Sequence, residues 1–364
     1  MHSLRGCLAL VLLAAAPAFS EDTFEGVQRI VAIGDLHGDY GQFVAMLRTA
    51  KLVDANNAWQ GGATHLVILG DLIDRGSASR KVMDLLIELG PQAQSAGGRV
   101  HALLGNHEAM NIYGDLRYVS SADFESFRTA DSKRLVDELL NQTLRALKAG
   151  GKPPQDEAEF REKFNVSHPL GWVEQQLAFL PNGKYGEWLR QQNVMIRIND
   201  FLFVHGGISP KYVAATRKEV NERIRGELDD LARLPQGMAM DGDGPLWYRG
   251  LALLPEKQKE LAAHIDRVLQ TQGARHLVIG HTPAAAILPR FGGKVILADI
   301  GLSIYKATPA FLLVEGSRGY SVYGNGRVDV PLDGGNVLDY LRAVQKLDPA
   351  NSRLRALIKK GGRF

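Results

Sequence analysis

The sequence predicts an α/β protein of two packed, mixed β-sheets flanked by helices, with a helical insertion. Three observations predict it. Short apolar runs rich in β-branched residues end repeatedly in glycine and a polar side chain, the pattern of buried strands closed by a turn. The first three such ends, at Asp35, Asp71 and Asn106, are spaced by 36 and 35 residues, and a strand–helix–strand unit needs roughly 30 or more. A stretch of helical period then separates this first set of strands from a second set.

The chain has 364 residues, 45% apolar and 23% charged, with a formal net charge of +3. That is an ordinary globular composition. Clustered basic runs of the kind that hold a polyanion are missing, so no nucleic-acid partner is expected. Residues 1–20 read separately. Arg5 gives a short positive start, residues 7–16 are almost wholly apolar, Pro17 breaks the run, and Ala18-Phe19-Ser20 supplies small residues before Glu21. This layout predicts a secretory signal peptide, and the run falls short of the roughly 20 residues a membrane span needs. The expectation is a periplasmic or secreted protein with no membrane association in its mature form. Removal of residues 1–20 takes the single cysteine, Cys7, so the mature chain has neither a disulfide nor a thiolate metal ligand.

One domain is expected over residues 21–335. Arg29–Ile33 runs into Gly34-Asp35, residues 66–69 into Gly70-Asp71, and residues 100–104 into Gly105-Asn106, with helices expected at 40–51 and 78–89 between them. Two successive parallel crossovers place the three polar ends at the carboxyl edge of one sheet, where open α/β sheets bind ligands. From about 115 to 190 the period becomes helical: Leu135, Val136, Leu139, Leu140, Leu144 and Leu147 share a face before Gly150-Gly151-Lys152-Pro153-Pro154 breaks it. This reads as an insertion over the sheet edge, either a lid or an extension of the fold. Strands resume at 194–198 and Phe201–Val204, joined by a tight turn at Asn199-Asp200. His276–Ile279, 294–298, 311–315 and 320–323 follow. Residues 336–364 read as a helical tail, its basic stretch from Arg353 to Arg363 as a solvated helix end.

Five clusters close five of the apolar runs: Gly34-Asp35-Leu36-His37-Gly38, Gly70-Asp71-Leu72-Ile73-Asp74-Arg75-Gly76, Gly105-Asn106-His107-Glu108, Val204-His205-Gly206-Gly207 and Gly280-His281-Thr282. Carboxylate, imidazole and amide oxygen together suit a divalent metal such as Mn, Fe or Zn. Alternation along an extended segment would point Asp35 and His37 to one side, within reach of one ion. Asp71 stands alone at its strand end, with two oxygens available to bridge two ions. The glycine before Asp35, Asp71, Asn106 and His281 permits a sharp turn and a close backbone approach. His65, His101, His168, His264 and His276 lie outside the clusters and read as structural or surface residues.

In this order the clusters resemble the calcineurin-like metallophosphoesterases, within them the phosphoprotein phosphatase group, and Gly105-Asn106-His107-Glu108-Ala109-Met110-Asn111 is most similar to the Shewanella-like protein phosphatases. The resemblance covers about residues 29–303 and implies the family's αββα sandwich and two divalent metal ions. It implies that Asp35, His37 and Asp71 hold the first ion, that Asp71, Asn106, His205 and His281 hold the second, and that a water or hydroxide bridging them attacks phosphorus. It further implies that His107 protonates the leaving oxygen as general acid, that Asp74 orients His107, and that Arg75 grips a phosphate oxygen. Leu246-Trp247-Tyr248-Arg249-Gly250 offers Arg249 as the second phosphate-binding arginine. The eukaryotic SAPNYC motif is replaced by Asp299-Ile300-Gly301, so a serine/threonine preference does not transfer.

The expected function is metal-dependent phosphomonoester hydrolysis by a protein phosphatase acting on phosphoserine, phosphothreonine or phosphotyrosine. The alternatives are a small-molecule phosphohydrolase, taking nucleotides or dinucleoside polyphosphates, and a catalytically silent metal-binding protein. His107, Asp74 and Arg75 argue against the last, because a silent domain needs no general acid.

Overall fold

The computed structural model describes residues 21–362; the signal peptide read at residues 1–20 lies outside the described residues. The strands in chain order are β1 (Thr23–Phe24), β2 (Arg29–Ile33), β3 (His65–Ile68), β4 (Arg99–Ala102), β5 (Met195–Ile198) and β6 (Phe201–Val204). They continue as β7 (His276–Ile279), β8 (Leu288–Arg290), β9 (Val295–Leu297), β10 (Ala310–Glu315), β11 (Arg318–Tyr323) and β12 (Gly326–Val330). One six-stranded sheet runs β12-β11-β10-β2-β3-β4 and the other β1-β5-β6-β7-β9-β8. Both are mixed: β2, β3 and β4 are parallel neighbours, as are β6, β7 and β9, while β10 to β12 form an antiparallel meander. The two packed mixed sheets flanked by helices are those the sequence predicts.

Central strands read as continuous apolar runs because both faces are covered. Every residue of β3, β6 and β7 is buried, including Leu66, Phe203 and Val278. The parallel register brings the ends of β2, β3 and β4 level, so Asp35, Asp71 and Asn106 emerge together. β6 and β7 deliver His205 and His281 from the second sheet by the same logic.

Several boundaries move for identifiable reasons. The run at 100–104 leaves its ladder after Ala102: Leu103 N–H still donates to Ile68 O at 2.9 Å, but Leu104 N–H turns to Asn193 O at 3.0 Å beside the other sheet. The helix expected to stop at Leu89 runs from Ser79 to Ser95, through Gly90 and Pro91. Pro91 faces solvent, and Ala93 beyond it is fully buried and continues the packed face. Strands β1, β8 and β12 escape the pattern because they are short or polar sheet edges, and β8 carries Pro289, which an edge tolerates.

The segment from 115 to 190 contains helices Ser121–Phe127, Ser132–Ala149, Glu157–Ser167, Trp172–Phe179 and Lys184–Arg190. Val136, Leu140 and Leu144 pack with Phe164 into a small core of their own. Helix Trp172–Phe179 packs against helix Asn106–Tyr113, which carries two of the candidate site residues. At the chain end, helices Val337–Leu347 and Ser352–Lys359 dock on the body. The basic residues Arg355, Lys359 and Lys360 are exposed, as a solvated helix end would have them, but the reading of Arg353 needs correction. Arg353 is half-buried over the Tyr305 ring at 3.7 Å and donates to Pro283 O at 2.9 Å. Among the described residues no helix is long and apolar enough to cross a membrane.

Candidate active site

The six candidate ligands are all buried where the two sheets meet. His205 Nδ1 donates to Leu69 O at 2.7 Å, and His281 Nε2 donates to Trp247 O at 3.1 Å. Each carbonyl fixes the tautomer and turns the other ring nitrogen, with its lone pair, inward. His205 Nε2 then lies 3.0 Å from Asn106 Oδ1, 3.1 Å from His281 Nδ1 and 3.3 Å from Asp71 Oδ1. Four electron-pair donors face one another, and only a proton or a cation satisfies them. Burial opposes charge on His205, yet the Asp71 carboxylate outweighs it and lifts His205 to about 9; burial and His205 push His281 down to about 2.

A second group lies on the other side of Asp71. His37 Nδ1 donates to Ile73 O at 3.0 Å, which leaves Nε2 facing Asp71 Oδ2 at 3.6 Å and Asp35 Oδ2 at 3.9 Å. Asp71 therefore presents one oxygen to each group. Burial pushes His37 down to about 3, keeping it neutral and able to donate its lone pair. His107 Nε2 approaches the same Asp71 oxygen at 3.8 Å, so geometry alone admits it beside His37 and Asp71. Its partner sets it apart. His107 Nδ1 meets the Asp74 carboxylate at 2.6 Å, where the other three meet backbone carbonyls. A carboxylate favours the imidazolium: burial opposes it, but Asp71 and Asp74 raise His107 above its ordinary value.

Local backbone explains how so many polar groups converge. Ten non-glycine residues among those described have positive φ, and five are candidate site residues: His37 (46°), Asp71 (49°), Asp74 (72°), Arg75 (63°) and His281 (63°). Each such residue costs on the order of 1–3 kcal/mol, and Asp and His sit toward the tolerant end. This corrects the account of Asp35 and His37. They do not share a side of an extended segment; a left-handed turn at His37 folds its ring back toward Asp35. Gly70 behaves as its position suggests, with φ of 96° and a would-be Cβ only 2.6 Å from Gly105 N.

Sequence reasoning passed over Glu108, Tyr118, Asp123 and Asn111 as site residues. The Glu108 carboxylate accepts from Asp71 N, Leu72 N and Gly105 N at 2.9, 2.8 and 2.8 Å, tying two site loops to one helix start. Glu108 and Asn111 stand inside a quoted motif, a signal that was legible; Tyr118 and Asp123 carry none. The Tyr118 ring lies 5.0 Å from His107 and 5.4 Å from the Arg75 guanidinium. Asp123 accepts from Ser79 Oγ, which in turn accepts from Asp74 N. Arg75 Nη1 lies 2.7 Å from His37 Nε2, and Arg249 donates to His281 O at 2.6 Å and Thr282 Oγ1 at 3.1 Å. Both predicted arginines thus border the cluster. Asp299, left out of the candidate set, is buried beside it; burial raises it to about 6. The five histidines outside the motifs find partners elsewhere. His65 and His101 pair at 3.1 Å, His264 donates to Ile208 O, His276 to Gly293 O, and His168 stacks on Phe164 at 3.9 Å.

Residues 28–298 match the sequence model of the family described as Calcineurin-like phosphoesterase. The chain belongs to this family. It is 31% identical over 293 residues to Shewanella-like protein phosphatase 2 of Arabidopsis thaliana, covering 77% of this chain and 73% of that protein. It is 25% identical over 284 residues to Shewanella-like protein phosphatase 1 of Plasmodium berghei, covering 76% and 68%. Among solved structures it is similar to the cold-active protein-tyrosine phosphatase of a psychrophilic Shewanella species, with a TM-score of 0.66, 29% identity and coverage of 85% and 82%. This calcineurin-like phosphoesterase is a hydrolase whose clustered His and Asp residues can bind metal.

The donor set itself fits such ions. Asp35, Asp71, Asp74, Glu108 and Asp299 are five carboxylates buried within one neighbourhood. Arg75 and Arg249 do not balance them, and buried charge without compensation is costly. Divalent ions would be held by Asp35, His37 and Asp71 on one side and by Asp71, Asn106, His205 and His281 on the other. Binding only to the folded state is expected to raise the melting temperature of chelator-treated protein by several degrees on titration with Mn, since free ion at about 100 times Kd adds about 2.7 kcal/mol. A melting temperature indifferent to Mn, Fe and Zn would leave the carboxylates without their counter-charge.

Proposed function

We propose that this phosphoesterase hydrolyses phosphomonoesters on proteins, phosphotyrosine among them, with His107 as general acid. The observation that carries the proposal is the 2.6 Å contact between His107 Nδ1 and Asp74. It holds one proton on Nδ1 and leaves Nε2 facing Asp71 Oδ2 at 3.8 Å. Bound divalent ions, two of Mn, Fe or Zn, would acidify a water and neutralise charge on the phosphoryl group. The chain's own residues do the rest. Arg75 and Arg249 grip non-bridging oxygens with their guanidinium forks and fix the phosphoryl group in line. His107 gives its Nε2 proton to the departing oxygen, and Asp74 stabilises the ring and holds its tautomer.

The phosphoprotein reading is supported by relatives named as protein phosphatases and by a similar structure named as a protein-tyrosine phosphatase. Tyr118, 42% exposed on the rim beside Arg75, offers an aromatic face to a phenyl leaving group. The leader sequence at residues 1–20 supports a periplasmic or secreted setting.

The test is a substrate panel for residues 21–364 with added Mn. Phosphotyrosine and phosphoserine peptides are expected to show kcat/KM at least about tenfold above nucleotides and dinucleoside polyphosphates, a difference of about 1.4 kcal/mol in transition-state binding. The reverse order would replace the protein phosphatase with a small-molecule phosphohydrolase. Inactivity of the metal-loaded protein on every ester would leave a metal-binding role.

A further inference from the structure

The Asp74 carboxylate has a second oxygen, and its partner leads out of the motifs. Asp74 Oδ1 accepts from Asn111 Nδ2 at 3.0 Å, and the same amide nitrogen donates to His107 O at 3.0 Å. Both Asn111 N–H bonds are thereby used on the His107–Asp74 pair. Its oxygen, Oδ1, accepts from Gln175 Nε2 at 2.7 Å, across 64 residues of sequence. Gln175 Oε1 in turn accepts from Gln176 Nε2 at 2.6 Å. Asn111 and Gln175 are 3% and 2% exposed, so the bonds that Asn111 makes are shielded from bulk water.

The direction of the Asn111 amide is decided by this chain of bonds. Its oxygen and nitrogen have nearly the same shape, and only hydrogen bonding distinguishes the two orientations. Turned the wrong way, Asn111 would set its oxygen against the Asp74 carboxylate and leave two buried acceptors in contact. The Asp74 carboxylate and the His107 carbonyl, which only accept, oppose this orientation, and Gln175 adds to them by donating to the Asn111 oxygen and anchoring the amide from its other end. Its helix, Trp172–Phe179, is itself held in place. Gly171 at its start has φ of 93°, and a Cβ there would stand 1.9 Å from Phe124 O, so the insertion's helices lock together at that point.

We infer that Gln175, in the helical insertion, is a positioning residue for the general acid: it orients Asn111, which orients Asp74, which holds His107. The insertion would then be part of the catalytic support and not only a cover. This inference rests on the reading of His107 as general acid.

The experiment compares Gln175→Met and Gln175→Glu with wild type and His107→Asn on two esters, p-nitrophenyl phosphate and phenyl phosphate. Methionine keeps the volume and removes both hydrogen bonds; glutamate keeps the acceptor and removes the donor to Asn111. Protonation matters more for phenolate than for the better leaving group, nitrophenolate. Both Gln175 variants are expected to lose kcat on phenyl phosphate about tenfold more than on p-nitrophenyl phosphate, with KM nearly unchanged, a fraction of the 10²–10⁴ that general acid catalysis supplies. The ratio between esters is independent of how much of each preparation is folded. A second readout needs no turnover. The proton shared by His107 Nδ1 and Asp74 is expected at low field in the 1H NMR spectrum of metal-free wild type, and shifted or broadened in both Gln175 variants.

Equal losses on the two esters with an unmoved low-field proton would overturn the positioning role. Absence of any ester dependence in His107→Asn would overturn the general-acid reading, and this inference with it. Ester dependence in His107→Asn alone would overturn only the role of Gln175.

Discussion

Replacing Asp71 with asparagine should lower kcat/KM on p-nitrophenyl phosphate by roughly a hundredfold or more, about 2.7 kcal/mol of transition-state stabilisation. The carboxylate faces His205 with Oδ1 at 3.3 Å and His37 with Oδ2 at 3.6 Å, so it borders both groups of donors. Oδ1 also accepts the backbone N–H of His107 at 3.1 Å. An asparagine will keep its oxygen on that N–H, which forces its NH2 into the place of Oδ2. The side that holds Asp35 and His37 then loses an anionic donor and gains two protons. Steady-state kinetics over a range of Mn concentrations should show the loss persisting at saturation. The metal-dependent rise in melting temperature should shrink as well. A variant retaining more than about a tenth of wild-type turnover would show that Asp71 does not serve both sides.

The second large effect is expected from His107→Asn, and it should depend on the substrate. A phosphoserine peptide leaves as an alkoxide and needs its proton, so the loss there should reach on the order of 10²–10⁴, the range of general acid catalysis. p-Nitrophenolate leaves readily without help, so its loss should be smaller by about tenfold or more. On the proposed assignment binding should change little, because Arg75, Arg249 and the candidate metal ligands are untouched; KM and inhibition by inorganic phosphate measure this. Asparagine can still accept or donate toward Asp74, which limits rearrangement of the buried pair. A uniform loss across leaving groups would place His107 among the metal-holding residues, as its 3.8 Å approach to Asp71 permits.

The two effects differ in kind because the two residues stand in different surroundings. His37, His205 and His281 each give one ring proton to a backbone carbonyl, a neutral partner that fixes a tautomer and frees a lone pair. His107 gives its proton to a carboxylate, which stabilises the charged ring. The four imidazoles at this site thus differ in the partner of one ring N–H: a backbone carbonyl for His37, His205 and His281, a carboxylate for His107.

Much of this was legible in the sequence by itself. Strands β2, β6 and β7 end where the apolar runs end, because a strand buried on both faces must be apolar throughout and must stop where a polar side chain appears. The 36- and 35-residue spacings determined parallel crossovers, since nothing much shorter returns the chain to the same sheet edge. Asp35, Asp71, Asn106, His205 and His281 stand out in the sequence for the same reason: each is the first polar residue past a strand end. What only the tertiary structure decided has no local signature. The left-handed turn at His37 depends on Leu36 N and His37 N both donating to Asp71 O, a contact between separate loops. The place of Tyr118 over Arg75, the docking of Arg353 on Tyr305, and the bond from Gln175 to Asn111 each join distant residues in contacts that neither periodicity nor spacing encodes. Periodicity reports which face of an element is buried, but which polar group meets another across that interface is set by the packing of whole elements.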